Sequence, residues 1–271
     1  MLFADRAGRA NTSSVKMLLA TAMIAIGNIS LDNVVRSRMA VQSPVGDRRT
    51  VAALLALTVV TGLIDAVSYL RLGHVFVANM TGNVVFLGFS VQPHSGLSAV
   101  ASLVAIGGFV VGAYGGGRLA AAQSTRTSRW LGLALGAETV AIGAVAVLTS
   151  TGVMPAHPHG SWATIAVLAA ALGVQNSTVR HLGVADLTTT VLTLSLTGLA
   201  ADGGWQGRPA RRRAASVLAM LAGALAGAGL LRASTSAVIA VAAALVAVSA
   251  VLLSRPPSIT RRGSARCRPD P

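Results

Sequence analysis

Beyond Thr50 the chain is written in long apolar runs, each closed by a short polar break. Read as helices, the runs cover about 51–70, 75–92, 97–121, 130–152, 162–180, 187–202, 212–231 and 234–254. The breaks carry the residues that end helices: Arg71 and Gly73, Pro93 to Gly96, Ser124 to Arg129, Pro155 to Gly160, His181 to Asp186, Gly203 to Pro209, and Arg232 with Ser234. No run alternates apolar and polar residues as a membrane strand does. In lipid every backbone N–H and C=O must find a partner inside the protein, so runs of this kind predict an all-α polytopic helical bundle.

Before Thr50 the pattern is mixed and polar, apart from Met17 to Ile29. That stretch follows Lys16 and is short for a span. It resembles the apolar core of a signal segment. A start codon placed too early, with the true start at Met17 or Met39, explains it equally well, and an extra helix is a third reading. The expected organisation is a poorly ordered extension over 1–50, a membrane domain over 51–254 and a basic disordered tail over 255–271.

The pattern also repeats. The stretch "TGLIDAVSYLRLG" is echoed by "LGVQNSTVRHLG", so that Gly62 to Asp65 align with Gly173 to Asn176. "VANMTGN" is echoed loosely by "TTTVLTLS", with Thr81 opposite Thr193. Glycines four apart follow in each half: Gly108, Gly112 and Gly116, then Gly223 and Gly227. Small residues at that spacing let helix backbones approach closely. Residues 51–152 and 162–254 therefore read as two copies of one unit, an arrangement common in transporters.

Composition agrees with the pattern. Hydrophobic residues make up 53% of the chain and charged residues 11%, with a mean hydropathy of +0.68. A soluble domain carries about 25% charged residues. Lipid is therefore the expected partner of the surface. The net charge of +14 does not point to nucleic acid, because the arginines are not interleaved with aromatics in a patch. They sit between apolar runs and at the ends, where positive charge orients a membrane protein. Cys267 is the only cysteine, so neither a disulfide framework nor a thiolate metal cluster is expected. His157 and His159 beside Pro158 are a weak metal signal, and no metal or cofactor is expected.

Charge also bears on topology. Eight full crossings place Arg118, Arg126 and Arg129 opposite the Arg208–Arg213 cluster, against the positive-inside rule. If one segment of each polar pair is re-entrant or broken, six crossings remain. Every arginine cluster then falls on the side of both termini, in the cytoplasm across a plasma (inner) membrane. Each half has three net crossings, so the two halves are inverted. The length of 75–92 stands against a re-entrant limb, and six crossings is the reading adopted.

The candidate chemistry lies inside these runs. A charged side chain within a span costs about 2.5–3.5 kcal/mol on insertion scales, so each needs a reason. Asp65 sits in the first run and Glu138 in the fourth. Asn79, Thr81, Gly82 and Asn83 follow in the second. Gln175 and Asn176 take the Asp65 place in the second half, followed by Thr189, Thr190 and Thr193. The functional reading is a substrate or ion pathway at the midplane, with amides and hydroxyls orienting a ligand and the two carboxyls binding a proton or cation. The bland reading is that Asn and Thr only cement neighbouring helices, and that Asp65 pairs with Arg71. No HExxH, Walker loop or GxSxG is present, so no enzyme is expected. An oligomer through the glycine faces is open, as is their use inside the chain.

"GLIDAVSYL" and "GHVFVANMTGNVVFLG", followed far downstream by "ALGVQNSTVRHLGVADLTTTVLT", resemble the YoaK-like family of bacterial membrane proteins, domain of unknown function 1275. The likeness runs from Val51 to Ser254. Asp65, Phe76, Asn79, Thr81, Gly82 and Asn83 fit the first family block. Gln175, Asn176, Thr189, Thr190 and Thr193 fit the second, and Glu138 fits an acidic position in the fourth helix. The second block reads Thr-Gly in the family where this chain has Thr193 and Leu194. The resemblance implies a multi-span inner-membrane protein and no particular activity. A small-molecule or ion permease, with proton coupling open, is the function expected; a sensor or assembly protein is the alternative.

Overall fold

A computed structural model describes residues 48–92, 94–122, 127–154, 161–182, 192–201 and 207–254. These residues form eight helices and no strand: α1 Arg48–Arg71, α2 Met80–Phe89, α3 Ala99–Ala122, α4 Thr127–Ser150, α5 Trp162–Leu182, α6 Leu192–Ala201, α7 Arg208–Leu230 and α8 Thr235–Ser254. The stretches expected to form the N-terminal extension and the basic tail lie almost wholly outside the described residues, as does Met17 to Ile29. Six helices, α1, α3, α4, α5, α7 and α8, are long and apolar enough to cross a membrane. Of the other two, α2 has 10 residues, and 10 residues of α6 are described. At 1.5 Å per residue α2 spans about 15 Å, half of a hydrocarbon core of about 30 Å.

The expected helix over 75–92 is therefore corrected: α2 starts only at Met80, and Val75 to Asn79 are not helical. Gly73 (φ 122°) and His74 (φ 57°) turn the chain out of α1. The helix expected over 187–202 starts at Leu192 within the described residues, and 187–191 lie outside them.

The centre of the bundle is α1 and α5, whose apolar windows are 67% and 61% enclosed, against 17% for α7. Leu54, Leu57 and Ile64 of α1 are fully buried, as are Leu168 and Leu172 of α5, Ile142 of α4 and Ile239 of α8. The outward faces are apolar too, with Val110, Val111, Leu218, Leu225 and Val248 all exposed. Water would not favour such a surface, whereas lipid does.

The helices pair across the chain rather than along it. Each of α1 and α5 packs most closely on a helix from the other half of the sequence: α1 on α7, and α5 on α3. Glycine makes both contacts possible. A Cβ on Gly112 of α3 would collide with the Ala170 backbone of α5, and one on Gly223 of α7 with the Val59 backbone of α1. Gly116 meets Val174 and Ser177, while Gly227 meets Leu63 and Ala66. In return, Gly62 of α1 meets Met220 and Ala224, and Gly173 of α5 meets Phe109 and Ala113. One constant offset, the one that takes Gly62 to Gly173, relates these contacts of one interface to those of the other. The glycine stripes are thus used inside the chain.

Six spans fix which loops share a face. In a Cys267→Ser background, cysteines at Arg48 and Ser95 are expected to react with a membrane-impermeant maleimide from opposite faces of the membrane. Reaction of both from one face would mean that α2 crosses, and with it an eight-span topology.

Candidate functional site

The site is built where α1 ends. Past Gly73 and His74 the chain doubles back along α1, and it reaches Asp65 more than a turn before the helix terminus. Asp65 Oδ1 accepts two backbone hydrogen bonds, from Val77 N–H and Ala78 N–H, each 3.0 Å. Asn83 does the same from the other side. Its Oδ1 accepts from Phe76 N–H at 2.9 Å, and its Nδ2 donates to the Phe76 carbonyl at 2.5 Å. Three consecutive residues of broken backbone thus find their partners on side chains. The Leu72 carbonyl accepts from Ser161 Oγ at 2.7 Å, which ties the break to the start of α5.

Aromatic packing closes the outer side. Tyr69 stacks on Phe76 with ring centroids 5.3 Å apart, and Phe76 stacks on Phe86 at 5.5 Å. Gly82 makes room for this, since a Cβ there would meet the Phe76 ring at 2.7 Å. The Arg71 side chain takes no part. It donates to the Leu231 carbonyl at the end of α7, 3.2 Å away, so the expected pairing of Arg71 with Asp65 is not made.

Beside the break lies a cavity of about 400 Å³. Asp65 and Thr61 of α1 contribute to its wall, as do Ala78 and Asn79 of the break. The first turn of α2 adds Thr81 and Gly82, and its second turn Val85 and Phe86. Leu192 and Thr193, the first two described residues of α6, and Met220 of α7 also line it. Asn79, Thr81 and Thr193 are exposed, whereas Asp65 is only 4% exposed. Among the described residues, Asp65 Oδ2 is buried with no hydrogen-bond partner, and no Lys, Arg or His lines the cavity.

The structure thus brings together Asp65, Asn79, Thr81, Gly82 and Thr193, and sets Asn83, Gln175, Asn176 and Glu138 apart. Asn83 is fully buried on Phe76. Gln175 Nε2 donates to Thr61 Oγ1 at 3.1 Å and approaches the Leu57 carbonyl at 3.4 Å, joining α5 to α1. Asn176 Nδ2 donates to the Leu172 carbonyl of its own helix at 2.9 Å. Glu138 is 1% exposed on α4, with neither oxygen partnered among the described residues. It does not line the cavity, so the two carboxyls do not share one site. Thr189 and Thr190 lie outside the described residues, as do His157 and His159.

Sequence reasoning missed Thr61, Val85, Phe86 and Met220. Thr61 had a signal, one helical turn before Asp65 and so on the same face. Val85, Phe86 and Met220 are apolar in an apolar chain and had none.

These contacts make a prediction. Asp65→Asn keeps an oxygen for the two amides, whereas Asp65→Leu leaves both without a partner, at about 1–3 kcal/mol each. Thermal unfolding in detergent should show Asp65→Leu destabilised by about 2–6 kcal/mol and Asp65→Asn by less than half as much. Equal losses would contradict a capping role for the carboxyl.

Comparison with known proteins now bears on the site. A family model described as "Protein of unknown function (DUF1275)" matches residues 53–252. The UPF0700 transmembrane protein YoaK of Bacillus subtilis (strain 168) is 33% identical over 157 residues, covering 57% of this chain and 67% of that protein. No solved structure matches the chain.

Proposed function

The chain belongs to the DUF1275 family of proteins of unknown function, and from that premise we propose that it is a small-molecule or ion permease whose binding site lies beside Asp65. The observation that carries this reading is a carboxyl group, 4% exposed, in the wall of a cavity at a helix break, with one oxygen unpartnered among the described residues. Broken helices at depth in a membrane protein are tolerated where they line such a cavity, and that is where transporters bind their substrates.

The helix pairing supports the same reading. The two interfaces related by one offset are what two copies of a single unit would produce. Each half contributes three candidate spans, together with α2 in the first and the described part of α6 in the second. An odd number of spans per unit inverts the second copy relative to the first. With the termini in the cytoplasm, Arg118, Arg129 and the Arg208–Arg213 cluster all lie on the cytoplasmic side of the plasma membrane, as the positive-inside rule favours. In this reading the chain catalyses no chemical step. Asp65 and Glu138 are the groups through which a proton or another cation would couple.

A second reading has its own support. Asn83 and Gln175 make hydrogen bonds that join segments, which is what a membrane sensor or assembly protein with no transported ligand would need.

The two readings differ in one property that needs no substrate. A permease exposes its site to each face in turn. Thr81→Cys, in the Cys267→Ser background, is expected to react with an impermeant thiol reagent from both faces of the membrane. Reaction from a single face under all conditions would favour the sensor or assembly reading.

A further inference from the structure

Taking the cavity to be a ligand site, as above, the kind of ligand follows from what its wall offers. A helix begins there: Thr81 and Gly82 are in the first turn of α2. First-turn N–H groups have no partner within their own helix, and a helix start carries about half a positive charge. The Asn79 side chain, at the position where a cap would sit, makes no capping hydrogen bond to α2. This end suits an anionic group, and carboxylates and phosphates bind at such ends.

Against it stands Asp65, with Oδ1 accepting from Val77 and Ala78 and Oδ2 buried and unpartnered among the described residues. That oxygen needs a donor, and among the described residues no Lys, Arg or His lines the cavity to supply one. Among the described residues there is no group of three His, Cys, Asp or Glu side chains that could hold a metal ion. Thr61 adds a hydroxyl, and Val85, Phe86 and Met220 give the wall an apolar side. A simple cation would leave the start of α2 without an anion, and a simple anion would be set beside the carboxyl. A molecule carrying both charges answers both.

We propose that the cavity binds a zwitterionic amino acid with an apolar side chain. Its ammonium sits on Asp65 Oδ2, its carboxylate at the first turn of α2, and its side chain against Phe86 and Met220. The cavity volume of about 400 Å³ falls in the range of small-molecule sites, about 300–1,000 Å³.

The test is ligand-dependent thermal stability of the purified full-length protein in detergent. Its probes are L-leucine, 3-methylbutylamine hydrochloride, which lacks the carboxylate, and sodium 4-methylpentanoate, which lacks the ammonium. Sodium chloride controls ionic strength. L-leucine is expected to raise the unfolding temperature saturably, with each analogue binding about tenfold or more weakly. Asp65→Asn should weaken L-leucine by a similar factor, as loss of one charge-assisted hydrogen bond implies. Equal binding of the amine makes the site cationic, and equal binding of the acid makes it anionic. Either result overturns the proposal, as does a flat response to L-leucine. The analogue series uses the unmutated protein and stands even if Asp65→Asn does not fold. Two-faced labelling of Thr81→Cys without L-leucine binding would remove the ligand class and keep the permease. Binding with one-faced labelling would do the reverse.

Discussion

The constraint on which this structure depends is that an unpaired backbone group cannot face hydrocarbon. Helices meet it unaided, so most of the chain is helix. The chain departs from helix between Leu72 and Asn79, and there it needs other partners. Asp65 takes the amides of Val77 and Ala78, while Asn83 takes both polar groups of Phe76. Two side chains thereby hold the segment between the turn at Gly73 and His74 and the start of α2. That break is what leaves α2 at half the length of a span and gives the cavity its wall.

The second constraint is close approach. A helix break at depth is useful only if the surrounding helices are fixed, and here α1 and α5 are held by glycine faces of α7 and α3. Apolar side chains gain nothing by leaving lipid for one another, so packing must come from backbone proximity. The Gln175 to Thr61 hydrogen bond adds a polar tie between the two central helices. The frame and the break lie on the same two turns of α1, where Gly62 meets α7 and Asp65 meets the broken segment.

Much of this was legible in the sequence. Eight apolar runs with glycine, proline and arginine breaks give eight helices in the right order, because breakers act locally. Arginine placement favours six spans, and among the described residues six helices are long and apolar enough to cross while α2 is too short. The start of α2 was not legible. Val75 to Ala78 is as apolar as any helix in the chain, and what unwinds it is a carboxyl 12 and 13 positions away from the amides it takes. The polar residues were found but their duties were not. Asn79, on the cavity, and Asn83, buried on Phe76, are the same residue type four positions apart. Arg71, an expected partner of Asp65, turned instead to a carbonyl of Leu231, a contact between distant parts of the chain that no local pattern encodes. Glu138 was visible as an isolated acid, and its separation from the cavity follows only from tertiary packing.

The account stands or falls on whether side chains hold the broken segment. Amide hydrogen exchange over Phe76, Val77 and Ala78 in the detergent-solubilised protein measures that directly. Bonded as described, these three amides should be protected to an extent comparable with α1 itself. Exchange at the rate of an open loop would contradict the capped break and the cavity built upon it.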